Sequence, residues 1–118
     1  MKLALLILLS LVSLAFARDT HEQARIDFLI NDVASSKGIV FVRNGTDHDG
    51  AAAASHLRMK LNYLGERVKT AEEFIKYCAS ESSLTHQRYK VRTADGKTID
   101  AGQYFTARLH EFDEKSTR

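Results

Sequence analysis

The sequence predicts a single α+β domain, small and helix-rich, with about four helices and a short β-sheet or hairpin. Three observations carry this. Apolar residues recur at helical spacing in several separate stretches, two short runs have strand character, and cap motifs and glycines fall between them. The chain has 118 residues, 44% hydrophobic and 27% charged, with one Cys and no Pro. Setting aside residues 1–17 leaves 18–118, enough for one domain and too few for two. A domain of that size buries roughly 65% of its unfolded surface, so a core needs neither disulfide nor metal. Disorder, collagen and disulfide scaffolds are excluded by the composition.

Residues 1–17 read as a signal peptide. Lys2 is a short positive region, and the apolar run to Leu14 is broken only by Ser10 and Ser13. Ala15 and Ala17 then stand at minus three and minus one of a cut between Ala17 and Arg18. A spanning helix needs about 20 apolar residues, and this run stops before Arg18-Asp19. Export by cleavage is therefore expected, with no transmembrane segment afterwards. The lone Cys78 cannot form an internal disulfide. Its spacing from Phe74 and Ile75 is that of an inward helix face, which predicts a free, buried thiol.

Along the mature chain, Ile26, Leu29, Ile30 and Val33 mark one face of a helix over 20–36. Thr20 with Gln23 reads as its capping box and Gly38 as its stop. The run 39–42 is β-branched and aromatic, a short buried strand, and Asn44-Gly45 supplies a turn. A second helix starts after Asp47 or Asp49 and runs to about Leu64, with Ala53, Leu57, the Lys60 stem, Leu61 and Leu64 inward. Gly65 ends it. Thr70 with Glu73 is a second capping box, opening a helix to about Ala79. Residues 80–85 form a polar loop. Tyr89, Val91 and Thr93 then alternate with Lys90 and Arg92 as a half-buried strand. Ala94-Asp95-Gly96 turns the chain into a short return strand over 97–99. Asp100 with Gln103 reads as the cap of a last helix carrying Tyr104, Phe105 and Leu109, fraying from Glu111.

Charge excludes one class. The net charge is +2 and no run of five basic residues occurs, so a nucleic-acid partner is not expected. The stretch 45–50 has phosphate-loop spacing, but Ala51-Ala52 stands where the Lys and hydroxyl must follow. As a calcium loop it would place His56 where a bidentate Glu is required. His21, His48, His56, His86 and His110 show neither an i, i+4 pair nor zinc spacing. No cofactor is predicted, and there is no G-x-S-x-G elbow.

What survives is a polar constellation. Arg43 and Asn44 leave the first strand, while His56, Arg58 and Lys60 ride the second helix, with 56 and 60 one turn apart. Ser82 and Ser83 lie in the serine loop, and Tyr89 opens the next strand. Arg43, His56 and Arg58 can supply charge-assisted hydrogen bonds to a carboxylate or phosphate, oriented by Asn44, Ser82, Ser83 and Tyr89. The competing description is a solvated helix face with serines bonding nearby backbone.

The ordered motifs Phe41-Val42-Arg43-Asn44-Gly45, Ala53-Ala54-Ser55-His56-Leu57-Arg58, Lys60-Leu61, Thr70-Ala71-Glu72, Phe74-Ile75, Ala79-Ser80 and Ser82-Ser83 resemble the YfeK-like family. The resemblance runs from about His21 to Val91. It implies a small protein of the Gram-negative bacterial periplasm and implies no activity. One position departs: where the family tends to have Gly before the Tyr-x-Val strand, this chain has His86.

The expected function is a non-enzymatic periplasmic binding module for a partner protein or a small anionic ligand. Two alternatives stand beside it, a small envelope hydrolase using His56 as base and a structural or inhibitory protein acting through an apolar patch.

Overall fold

The computed structural model describes residues 18–117; the signal peptide expected over 1–17 lies outside the described residues. Helix α1 (Thr20–Ala34) buries Ile26, Leu29, Ile30 and Val33, the face its periodicity predicts. Its cap is Asp19 rather than Thr20. The Asp19 carboxylate accepts from the amides of His21 (2.7 Å) and Glu22 (3.4 Å), and a negative charge there also opposes the helix dipole.

Strand β1 (Val40–Arg43) turns back through Asn44 (φ 51°) and Gly45 (φ 78°) into β2 (Thr46–His48). Two successive positive φ values match the twist of a tight hairpin, which is why Asn-Gly stands there. Strands β3 (Lys90–Arg92) and β4 (Thr98–Asp100) form the second hairpin. All four make one antiparallel sheet in the order β2-β1-β3-β4. In its register Phe41 lies opposite both His48 and Val91, and Val91 opposite Ile99. Side chains alternate between faces along a strand. Arg43, two residues past Phe41, and Tyr89, two before Val91, therefore join His48 on the face that enters the core.

Helix α2 (Gly50–Leu64) is capped by Asp49, whose carboxylate accepts from the Ala52 amide at 2.8 Å. It buries Ala54, Leu57 and Lys60 and stops at Gly65, whose φ is 54°. A 3₁₀ turn (Gly65–Arg67) leads to the predicted capping box, in which Thr70 and Glu73 satisfy each other's amides. Helix α3 (Ala71–Phe74) then widens into π-helical turns over Ile75–Ala79, with the Ser80 hydroxyl donating to the Ile75 carbonyl at 2.6 Å. Cys78 is free and fully buried there.

Helix α4 (Ala101–Ser116) corrects two expectations. Asp100 precedes it, yet its carboxylate pairs with Lys90 and Arg88 instead of capping amides, because a charged donor outcompetes a neutral one. Nor does the helix fray at Glu111. Phe112 stacks on Phe28 of α1 at 4.7 Å, and Asp113 pairs with Arg25. Among the described residues the result is the predicted α+β class: four helices and a four-stranded antiparallel sheet sharing one core around Ile26, Leu29, Phe74 and Val91. No described helix is long and apolar enough to cross a membrane.

Candidate functional site

The sheet face and α2 meet at a small cleft of about 40 Å³. Its floor is apolar, from Phe41, Leu57, Ala79 and Phe105, and its polar wall includes Arg43, His48, His56 and Tyr89. That volume admits about three water molecules, the size of a carboxylate with a short tail or of a phosphate.

Tyr89 is the hinge of the polar wall. Its hydroxyl lies 3.2 Å from His56 Nε2 and accepts from Lys60 Nζ at 3.3 Å. Lys60 also donates to the Glu81 carbonyl at 3.1 Å and sits 5.1 Å from the centre of the Tyr89 ring. Since Lys60 is always a donor, it occupies a lone pair of the phenolic oxygen. The phenolic proton is then free for His56 Nε2, a pairing that suits a neutral imidazole with its proton on Nδ1. The relay runs from Lys60 through Tyr89 to His56.

The electrostatics of the site agree with this. Burial, followed by the nearby charges of Arg43, Lys60 and His48, pushes the His56 pKa down to about 4. Burial also lowers Lys60 and raises Tyr89. Cys78 is pushed up to about 11 by burial, which leaves it a protonated thiol with little nucleophilic character. Because an unfolded histidine titrates near 6.5, the folded state disfavours protonation of His56. Above pH 6.5 both states are neutral and nothing is lost. Between 6.5 and about 4 the unfolded chain takes the proton first, and folding loses up to about 3 kcal/mol, less the screening a partly exposed ring receives.

Lys60 is 9% exposed and has no carboxylate within 4.0 Å among the described residues. Its ammonium bonds only a carbonyl and a phenol, and the Glu81 carboxylate acts on it without a direct ion pair. Arg43 likewise makes no hydrogen bond or ion pair among the described residues. No group of three or more His, Cys, Asp or Glu among them is placed to hold a metal.

Of the sequence-predicted set, Arg43, His56 and Tyr89 converge on the cleft. The other four lie elsewhere. Asn44 is in the β1–β2 turn, where its side chain accepts from the Thr85 hydroxyl at 3.0 Å. Arg58 is exposed on the outer side of α2. Ser82 is buried and accepts from the amides of Leu84 and Thr85 (3.3 Å each), so its hydroxyl closes its own loop. Ser83 faces a separate groove behind α2. His86 has φ 59°, a left-handed position where glycine is unstrained, which accounts for the residue type that the resemblance expects there. Sequence reasoning named Lys60 in the constellation without giving it a ligand contact, and it left out His48. Lys60 is one helical turn from His56, a signal already present, but its long stem reads as core. His48 is brought in only by the strand register opposite Phe41.

Residues 20–113 match a family of unknown function, DUF5329. The chain is also 46% identical over 71 residues to the uncharacterized protein YfeK of Salmonella typhimurium (strain LT2), covering 60% of this chain and 59% of that protein. The chain therefore aligns with less than two thirds of that relative's length. No solved structure matches. The sequence's resemblance to a YfeK-like family is borne out by both matches.

Proposed function

The chain belongs to the DUF5329 family of unknown function, and from that premise we propose that it is an exported periplasmic module that binds a small anion. The anion, a carboxylate or phosphate on a short stem, enters the cleft and meets Arg43, His48, His56 and the Tyr89 hydroxyl. One observation carries the reading. Cationic groups gather around Tyr89 with a buried Lys60 that has no acidic partner among the described residues. Such a field repels protons from His56 and attracts negative charge. Arg43 supplies a forked donor and the apolar floor takes the stem. Export rests on the leader pattern, with cleavage between Ala17 and Arg18.

A hydrolase reading needs either a water for which His56 is the base, and a pKa near 4 makes that imidazole a weak base, or a side-chain nucleophile beside it. Among the described residues its hydroxyl neighbour is Tyr89, whose pKa burial raises, so the phenolate that attack requires is disfavoured. Binding is the reading the electrostatics support.

The test uses the mature chain purified from the periplasm and beginning at Arg18. It is unfolded by heat in phosphate, sulfate, acetate, propionate and butyrate, beside Arg43→Ala. Sulfate and phosphate stabilise proteins non-specifically, so the variant is the control. At 100 times its dissociation constant a bound anion adds about 2.7 kcal/mol, a rise of roughly ten degrees or more. That rise is expected in the parent and absent in Arg43→Ala, whose unliganded midpoint stays unchanged. Equal shifts in both proteins, or none in either, overturn the reading.

A further inference from the structure

Behind α2, on the far side of the Lys60–Glu81 contact, runs an open groove of about 540 Å³. It is lined by Leu64, Arg67, Lys76, Tyr77, Glu81 and Ser83, with His86 at its edge. Four large hydrophobic residues are exposed in the described chain: Met59 (59%), Tyr63 (81%), Tyr77 (45%) and Leu84 (92%). Tyr77 lines the groove, Leu84 follows Ser83, and Tyr63 sits under the Arg67 guanidinium at 5.9 Å, with Met59 one turn earlier on α2. Scattered exposed hydrophobics need no explanation, but Tyr77 lines a groove and Tyr63 packs against a cation of the same groove, which is how an interaction surface is built.

The charges on that face select its partner. Lys76 lies 5.3 Å from the centre of the Tyr77 ring. Neither Arg67 nor Lys76 has a carboxylate within 4.0 Å among the described residues. The one acidic side chain lining the groove, Glu81, lies 3.5 Å from His86 Nδ1, so two cations face one carboxylate there. The groove thus offers Tyr77 and Leu64, with Tyr63 beside its Arg67, next to two cations without acidic partners among the described residues. Tyr, Met and Arg are the residue types enriched where protein surfaces meet, and both cations sit over the rings an incoming chain would cover.

We propose that this groove docks an acidic segment of a partner protein, carrying aromatic or long aliphatic side chains among its Asp and Glu residues. The acidic groups engage Arg67 and Lys76, and the apolar ones cover Tyr63, Tyr77 and Leu64. The surface is separate from the anion cleft: its cations are Arg67 and Lys76, and Arg43 takes no part.

The experiment selects a displayed library of random twelve-residue peptides against the mature chain. Enriched peptides are then titrated against the parent, Lys76→Glu, Tyr77→Ala and Arg43→Ala. Enrichment in Asp or Glu alongside Phe, Trp or Leu is expected, with binding weakened at least tenfold by Lys76→Glu and by Tyr77→Ala and untouched by Arg43→Ala. Both groove variants replace exposed residues, so unchanged thermal midpoints show that the fold is intact. Neutral or basic consensus peptides, binding indifferent to Lys76→Glu, or no enrichment overturn the proposal. So does a dimer in sedimentation velocity that Lys76→Glu dissolves, since a second copy would then be the occupant.

Discussion

Replacing Gly50 with Ala is expected to destabilise the protein by about 3 kcal/mol or more, the upper range for overpacking a close contact. The residue opens α2 where that helix meets the end of α1. An added Cβ would stand 2.2 Å from the Val33 carbonyl oxygen and 2.7 Å from Ser36 Oγ. Real atoms do not approach so closely, and the carbonyl cannot turn aside. It accepts from both the Ser36 amide (3.1 Å) and the Ser36 hydroxyl (2.7 Å), the bonds that finish α1. Helix propensity pulls the other way, since Ala is favoured over Gly by up to about 1 kcal/mol inside a helix. The two effects differ in sign, so denaturant unfolding of Gly50→Ala decides between them. A variant as stable as the parent would mean that the two helices do not meet this closely.

The second large effect is at Arg25, which is 8% exposed. Its five donor hydrogens all have partners. Nε and one terminal nitrogen grip Asp113 of α4 (3.1 and 2.9 Å), and the two terminal nitrogens grip Glu72 of α3 (2.8 and 2.9 Å). The fifth reaches Glu22 at 2.8 Å, whose carboxylate also accepts the Ala71 amide at 2.9 Å. One guanidinium thus ties α1 to α3 and α4, and its hydrogen bonds to Glu72 and Asp113 raise its own pKa. Arg25→Ala is expected to cost about 3 kcal/mol at pH 7, the low end for breaking a buried pair because two of the carboxylates reach water.

The pH dependence of that loss is distinctive. The bond from Arg25 holds Glu72 below the usual carboxylate range. Its contribution is therefore present above the ordinary carboxylate pKa and is lost as the pH falls through the lowered one. In Arg25→Ala the three carboxylates repel, and acid relieves them. Urea unfolding at pH 7 and pH 3.5 should show the difference from parent shrinking markedly in acid. A constant difference would mean that Arg25 acts through packing of its stem alone.

What was legible in the sequence follows from range. Helix faces, caps and the Asn44-Gly45 turn depend on residues within four positions of one another, and the sequence displays them directly. Strand β2 was not legible because Thr46 and Asp47 are exposed on a sheet edge, where no apolar alternation is needed. The Arg25 cluster joins residues 47 and 88 positions apart, so Arg25 looks like any charged residue beside an apolar stripe. Asp100 looked like a cap because the sequence could not show Lys90 and Arg88 across the hairpin. The cleft was half legible for the same reason. His56 and Lys60 are neighbours on one helix, but Arg43, His48 and Tyr89 reach them only through strand alternation and register.

That assembled charge cluster is the centre of the account, and the His56 imidazole reports on it. The most direct measurement is an NMR titration of the His56 ring carbons in the mature chain from pH 7.5 to pH 3.5, without and with propionate or phosphate. The account predicts a pKa near 4 in the free protein. A bound anion offsets Arg43, Lys60 and His48, so the value should rise by a unit or more, roughly 1.4 kcal/mol of coupling, and not in Arg43→Ala. A free His56 titrating near 6.5, or one whose pKa ignores the anion, would contradict the claim that these cations act together on the cleft.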